Sequence, residues 1–296
     1  MSAAELKSLI ELLGSRPAPE KPSVDQMRER FDQLAKFLPT PQDATCRQLD
    51  ANGVPAEMVA APGTDEGRVV LYLHGGGYVI GSLNTHRNLA YNVSAASGAS
   101  TLLIDYRLAP EYPFPAQVDD AVAAYRWLLD QGSDPQRLAM AGDSAGGGLV
   151  VAALLACKQR GLPMPSAAVC ISPWVDMEAI GESMSTKAAA DPMVQREGLL
   201  HFARLFLGKA DARNPLAAPM YGDLQGLPPL LIQVGTAETL LDDAVRLAER
   251  AQVAGVTVSL EQTANMIHVW HLFAPMLSEG HDAIARAGAF LRAHAP

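Results

Sequence analysis

From the middle of the chain to its end, short and wholly apolar runs alternate with amphipathic stretches. "RVVLYL" (68–73), "STLLIDY" (100–106), "RLAMAG" (137–142), "AAVCISP" (167–173), "PLLIQVG" (229–235) and "VTVSLEQ" (256–262) have the length and composition of strands. Between and after them, "VDDAVAAYRWLLDQG", "GGGLVVAALLACKQRG", "DDAVRLAERAQVAG" and "HDAIARAGAFLRAHA" carry a helical period. Continuous apolar strands separated by helices are what a parallel sheet covered on both faces requires. The pattern predicts an α/β fold with a mostly parallel central sheet flanked by helices.

The first part of the chain reads differently. Leu6, Leu9, Ile10 and Leu13 recur at helical spacing, and after the Pro-rich "RPAPEKP" Ser23 can cap a second helix. In that helix Met27, Phe31, Leu34 and Leu38 form one stripe. "CRQLDANGVPAEMVAAP" then places Asn52-Gly53, a hairpin turn signal, between two modest strands. Residues 175–226 form a long connection with a helical pattern of its own, "EGLLHFARLFLGKAD". Insertions of that length in a compact domain are usually functional, and this one is expected to join the N-terminal helices as a cap over one end of the sheet.

Composition narrows the class. The 296 residues suit one large α/β unit, and 49% apolar with 19% charged residues is ordinary for a globular protein. A net charge of −9 argues against nucleic acid and anionic membranes as partners. Cys46, Cys157 and Cys170 lack paired spacing, and the last two sit in apolar surroundings, so buried thiols rather than disulfides are expected. With no recognisable signal peptide and no apolar run of membrane-spanning length, the expected location is the cytoplasm.

Chemistry enters at "GDSAG" (142–146), where the strand "RLAMA" gives way to a helix. A sharp strand-to-helix turn exposes a serine hydroxyl above the sheet, making Ser144 the candidate nucleophile. A serine needs a base, and the base an orienting carboxylate, in the chain order Ser, acid, His on this architecture. His268, in the loop after "VTVSLEQ", is the candidate base, with His271 as its competitor. A metal at His268 and His271 is not expected, because no glutamate, cysteine or acid cluster completes a zinc motif. For the acid, Glu238 lies just past a strand end. Asp242 remains a rival, although it and Asp243 read as first-turn residues placed for the helix dipole. "LYLHGGGYVIGSL" (71–83) adds three consecutive glycines whose amides can approach an oxyanion closely. Gly76, Gly77 and Ala145 are the expected donors, and His74 is expected to hold the loop rather than react.

"HGGG" (74–77), "YRLAPEYPFPA" (106–116), "GDSAGG" (142–147) and "IHVW" (267–270) together resemble the hormone-sensitive-lipase-like (bacterial family IV) carboxylesterases over essentially the whole chain. The resemblance implies an α/β-hydrolase fold with a helical cap and no cofactor, and hydrolysis of short- to medium-chain carboxylic esters through an acyl-enzyme. By position it puts the nucleophile on Ser144, the base on His268 and the oxyanion donors on Gly76, Gly77 and Ala145. The chain departs from the family's Asp-Pro-Leu at the acid, where "AETLLDD" places Glu238. Arg107, Glu111 and Asp143 are expected to shape loops beside the site. The implied organisation is N-terminal cap helices at 1–45 and a catalytic domain at 46–296, with a cap insertion at roughly 178–220. Phe202, Leu205 and Phe206 in that insertion are candidates for apolar lining, although plain packing of a cap helix is the favoured reading. The alternatives are an aryl amidase or deacetylase on the same triad, and a non-catalytic small-molecule receptor, since plant gibberellin receptors resemble this family. A homodimer through the last strand and helix is a further possibility.

Overall fold

A computed structural model describes residues 3–15 and 22–295; residues 16–21 of the expected Pro-rich break lie outside the described residues. Eight strands form one sheet: β1 (Thr45–Asp50), β2 (Pro55–Ala60), β3 (Asp65–Leu73), β4 (Ala99–Ile104), β5 (Leu138–Asp143), β6 (Ala167–Ile171), β7 (Leu230–Gly235) and β8 (Val258–Thr263). The helices are α1 (Ala3–Gly14), α2 (Val24–Ala35), α3 (Leu83–Ser97), α4 (Ala116–Asp130), α5 (Ala145–Gln159), α6 (Ser183–Thr186), α7 (Arg196–Leu207), α8 (Leu241–Val253) and α9 (Ser278–His294). Strand order is β1-β2-β4-β3-β5-β6-β7-β8, with β1 and β2 antiparallel and every pairing from β4 to β8 parallel. No helix among the described residues is long and apolar enough to cross a membrane.

The apolar strands are continuous because both faces are covered. In β3, Val69, Leu71 and Leu73 point into a core with α4 and α5, while Val70 and Tyr72 point into a second core with α3 and α9. The same alternation runs through Leu102 and Leu103, then Met140 and Ala141, then Ile232 and Leu231. Helix α5 is apolar on all sides and buried from Ala145 to Cys157, as expected of a helix enclosed within a larger core. Cys157 and Cys170 are buried free thiols, and burial pushes both up to about 12.

Local chemistry sets the element ends. Ser23 caps α2 by accepting the Gln26 amide, and Gln26 returns a bond to the Ser23 amide. Asn52 (φ 57°) and Gly53 (φ 88°) turn the β1–β2 hairpin, with the Gly53 amide bonded to Asp50 at 2.6 Å. Strand β6 stops at Ile171, short of the expected Pro173. Ser172 turns to φ 45°, and Pro173 has no N–H with which to continue the ladder. Strand β3 starts at Asp65, ahead of its apolar run, through an irregular pairing between Asp65 and Val69 that hydropathy does not reveal.

Candidate active site

β5 ends at Asp143 and α5 begins at Ala145, leaving Ser144 alone between them with φ 54° and ψ −122°. A non-glycine residue held there costs about 1–3 kcal/mol, so its neighbours must fix it. The Ser144 amide donates to Ile171 O (2.8 Å), and its carbonyl accepts the amides of Trp174 (2.9 Å) and Gly148 (3.1 Å). The hydroxyl stands at the carboxyl end of the central parallel strands, where open α/β sheets place their ligands.

Two loops at the same sheet end bring up the partners. His268, beyond β8, has Nε2 at 2.9 Å from Ser144 Oγ and Nδ1 at 2.9 Å from Glu238 Oε2. Glu238, in the β7–α8 turn, accepts the Gly235 amide (2.6 Å) and the Ser172 hydroxyl (2.8 Å) on Oε1. A carboxylate can only accept, so Nδ1 of His268 carries the proton and the Nε2 lone pair faces the serine hydroxyl. Burial, the largest influence, would lower the His268 pKa, but the Glu238 hydrogen bond and charge together with the charges of Asp191 and Asp143 outweigh it, and the net direction is upward. The acid and base segments also meet backbone to backbone. Ala237 N donates to Met266 O, and a Cβ on Gly235 would lie only 2.1 Å from that oxygen.

The rival residues have other occupations. Asp242 accepts the Ser183 amide (2.9 Å) and donates its own amide to the Ser183 hydroxyl (3.1 Å). Asp243 accepts the Val175 and Asp176 amides, and burial raises its pKa to about 7. His271 contacts Gln233 through Nε2 at 2.9 Å, and burial lowers it to about 3. The structure therefore joins Ser144, His268 and Glu238 in one hydrogen-bonded chain and leaves Asp242 and His271 outside it.

The glycine loop is tied to the elbow through Asp143, whose Oδ1 accepts the Gly75 amide (3.2 Å) and the Tyr72 hydroxyl (2.9 Å). His74 is fully buried, bonds Gly75 O through Nδ1 (2.7 Å) and stacks on Tyr106. Desolvation lowers its pKa to about 3, so the ring is neutral. Arg107 binds Asp120 and Glu111 binds Arg28 of α2, which also donates to Val79 O just past the loop. Neither the Gly76 nor the Gly77 amide donates to a protein acceptor among the described residues.

Gly77 shows why this loop excludes side chains. Its φ is 62°, and a Cβ there would lie 2.0 Å from Cδ2 of Phe202 on α7. Phe206, one turn on, instead stacks on Tyr78 at 3.9 Å as core packing. Gly77→Ala is expected to destabilise by about 2–4 kcal/mol through backbone strain and overpacking. Adding Phe202→Ala should recover part of that loss in thermal melts, and no recovery would show that the ring contact is not its source.

Sequence reasoning missed Ser172, whose hydroxyl donates to Glu238 while accepting the Val269 amide (3.2 Å). The apolar run extends through Ser172 to Pro173, so only the structure, which ends β6 at Ile171, shows the hydroxyl leaving the strand toward Glu238. Among the described residues no group of three or more His, Cys, Asp or Glu side chains is placed to hold a metal ion.

A strand-to-helix serine at the top of this sheet defines the class as an α/β hydrolase. A family model described as alpha/beta hydrolase fold matches residues 70–272. An acetyl-hydrolase of Streptomyces hygroscopicus is 45% identical over 299 aligned residues, covering 99% of this chain and 97% of that protein. The crystal structure of an esterase from the bacterial hormone-sensitive lipase family superposes with a TM-score of 0.98 at 52% identity, covering 100% of both chains. That of the esterase EstE5, soaked with p-nitrophenyl butyrate, does so at 0.96 and 49%, covering 99% of both chains. The chain belongs to the α/β-hydrolase family and, within it, to the hormone-sensitive-lipase-like carboxylesterases.

Proposed function

We propose that this chain hydrolyses short- to medium-chain carboxylic esters through an acyl-enzyme on Ser144. The observation that carries the reading is the unbroken contact from Ser144 Oγ through His268 to Glu238, 2.9 Å at each step. His268 Nε2 takes the hydroxyl proton as Ser144 Oγ attacks the ester carbonyl. Nδ1–H stays bonded to Glu238, whose charge stabilises the imidazolium that forms. The oxyanion is received by the amides of Gly76, Gly77 and Ala145, the last among the first-turn amides of α5 that have no intrahelical acceptor. His268 then protonates the departing alkoxide, leaving the acyl group on Ser144. A water molecule gives its proton to the same nitrogen and attacks the acyl carbonyl. The carboxylic acid leaves as the proton returns to Ser144.

The likeness to an acetyl-hydrolase, and to an esterase soaked with a butyryl ester, supports small acyl groups as the substrates. The 178–220 insertion and the N-terminal helices act in this reading as the cap. Phe202 on Gly77 and Arg28 on Val79 O are their contacts with the oxyanion loop. The test is a series of p-nitrophenyl esters from acetyl to dodecanoyl, with p-nitroacetanilide as the amide counterpart. Turnover should be highest from acetyl to butyryl and negligible on the anilide, with a burst marking the acyl-enzyme. A folded protein that turned over the anilide but none of the esters would reverse the assignment.

A further inference from the structure

Thr239, the residue after Glu238, has all its polar groups engaged by the insertion between β6 and β7. Its amide donates to Asp191 Oδ2 at 2.9 Å. Its hydroxyl lies 3.1 Å from the same oxygen and 3.2 Å from Val194 O, and its carbonyl accepts the Ser183 hydroxyl at 2.6 Å. Asp191 Oδ1 takes the Met193 and Val194 amides, both at 3.0 Å. Asp191 is 2% exposed, and Thr239 is fully buried. A buried carboxylate is costly unless its lone pairs are filled. Here the donors come from its own loop and from the residue beside Glu238.

We propose that Asp191 is a positioning residue for Glu238: by gripping Thr239 it fixes the turn that aims the Glu238 carboxylate at His268. The proposal rests on the acyl-enzyme reading above and adds a condition to it. The base works at full rate only while the insertion is seated on the β7–α8 turn. Charge contributes alongside position. The groups acting on His268 are Glu238 from the β7–α8 turn, Asp191 from the insertion and Asp143 from the elbow, all favouring its protonated form, while His271 on its own loop stays neutral. A residue that only anchored the insertion would influence stability and leave kcat alone, and Thr239→Val, which keeps the Asp191 charge, would then leave the base's titration unmoved.

The experiment measures kcat, KM and kcat/KM against pH for Asp191→Asn, Thr239→Val and Thr239→Ser with p-nitrophenyl butyrate, alongside melting temperatures. Asp191→Asn should lower kcat about 10- to 100-fold with KM within about threefold, the pattern of a misplaced catalytic group. Its acid limb should move to lower pH, because one charge favouring protonated His268 is gone. Thr239→Val keeps that charge but loosens Glu238 from His268, so it should lower kcat and move the limb to lower pH by less than Asp191→Asn does, and Thr239→Ser should restore both. Wild-type kcat and pH profile in both Asp191→Asn and Thr239→Val would overturn the proposal. If Asp191→Asn does not fold, wild-type kcat in Thr239→Val does so alone. Full turnover by Ser144→Ala would overturn the underlying mechanism instead. An inactive Ser144→Ala beside wild-type behaviour at 191 and 239 would overturn only the role of Asp191.

Discussion

Ser144→Ala is expected to lower kcat on p-nitrophenyl acetate by about 10⁴- to 10⁶-fold, the range for loss of an activated serine nucleophile. The melting temperature should stay close to that of the wild type. The Ser144 amide and carbonyl make the bonds that hold the elbow, and both survive the change. The hydroxyl's contact is to His268 Nε2, which is the contact the reaction uses. His268→Ala should cost a similar factor, and the double variant little more, because the two act as a unit. Residual activity in Ser144→Ala above about a hundredth of wild type would be far too high for that unit and would move the nucleophile elsewhere.

The second large effect concerns the acid. Glu238→Gln should reduce kcat by about 10⁴-fold, because an amide that turns its NH₂ toward Nδ1 forces the wrong imidazole tautomer. The same variant has a signature in pH. His268 must be neutral to accept the serine proton, and its pKa is raised by Glu238 against the lowering effect of burial. The wild-type kcat/KM therefore falls on the acid side below a midpoint lying above the ordinary imidazole value of about 6.5. Without the carboxylate charge that midpoint should move to lower pH while the plateau drops. Asp242→Asn serves as the contrast, since its carboxylate faces Ser183 rather than His268. A rate loss at Asp242 matching that at Glu238 would reverse the assignment of the acid.

Much of this was legible in the chain because the chemistry has local causes. The strands showed as apolar runs because both sheet faces are buried, and Ser144 stood out because a strand-to-helix turn needs small neighbours. Glu238 could be separated from Asp242 by its place before the helix start, although nothing in hydropathy ranks one acid over another. Ser172, Asp191 and Thr239 were not legible, since each acts through a partner far along the chain. Ser172 and Glu238 are 66 positions apart, and Asp191 and Thr239 48. From the sequence alone Phe202 is a lining or packing residue of its helix. Its contact with Gly77 depends on how α7 lies across the loop, which no periodicity encodes.

The backbone contact between Gly235 and Met266 bears on how the site responds when charge moves. Since the turn carrying Glu238 and the loop carrying His268 interlock through main chain, their spacing is set before any substrate arrives. When the imidazole becomes charged, the carboxylate is already in place, and little rearrangement of dipoles has to accompany the proton. The reorganisation energy that water would demand at that moment is thereby largely met during folding.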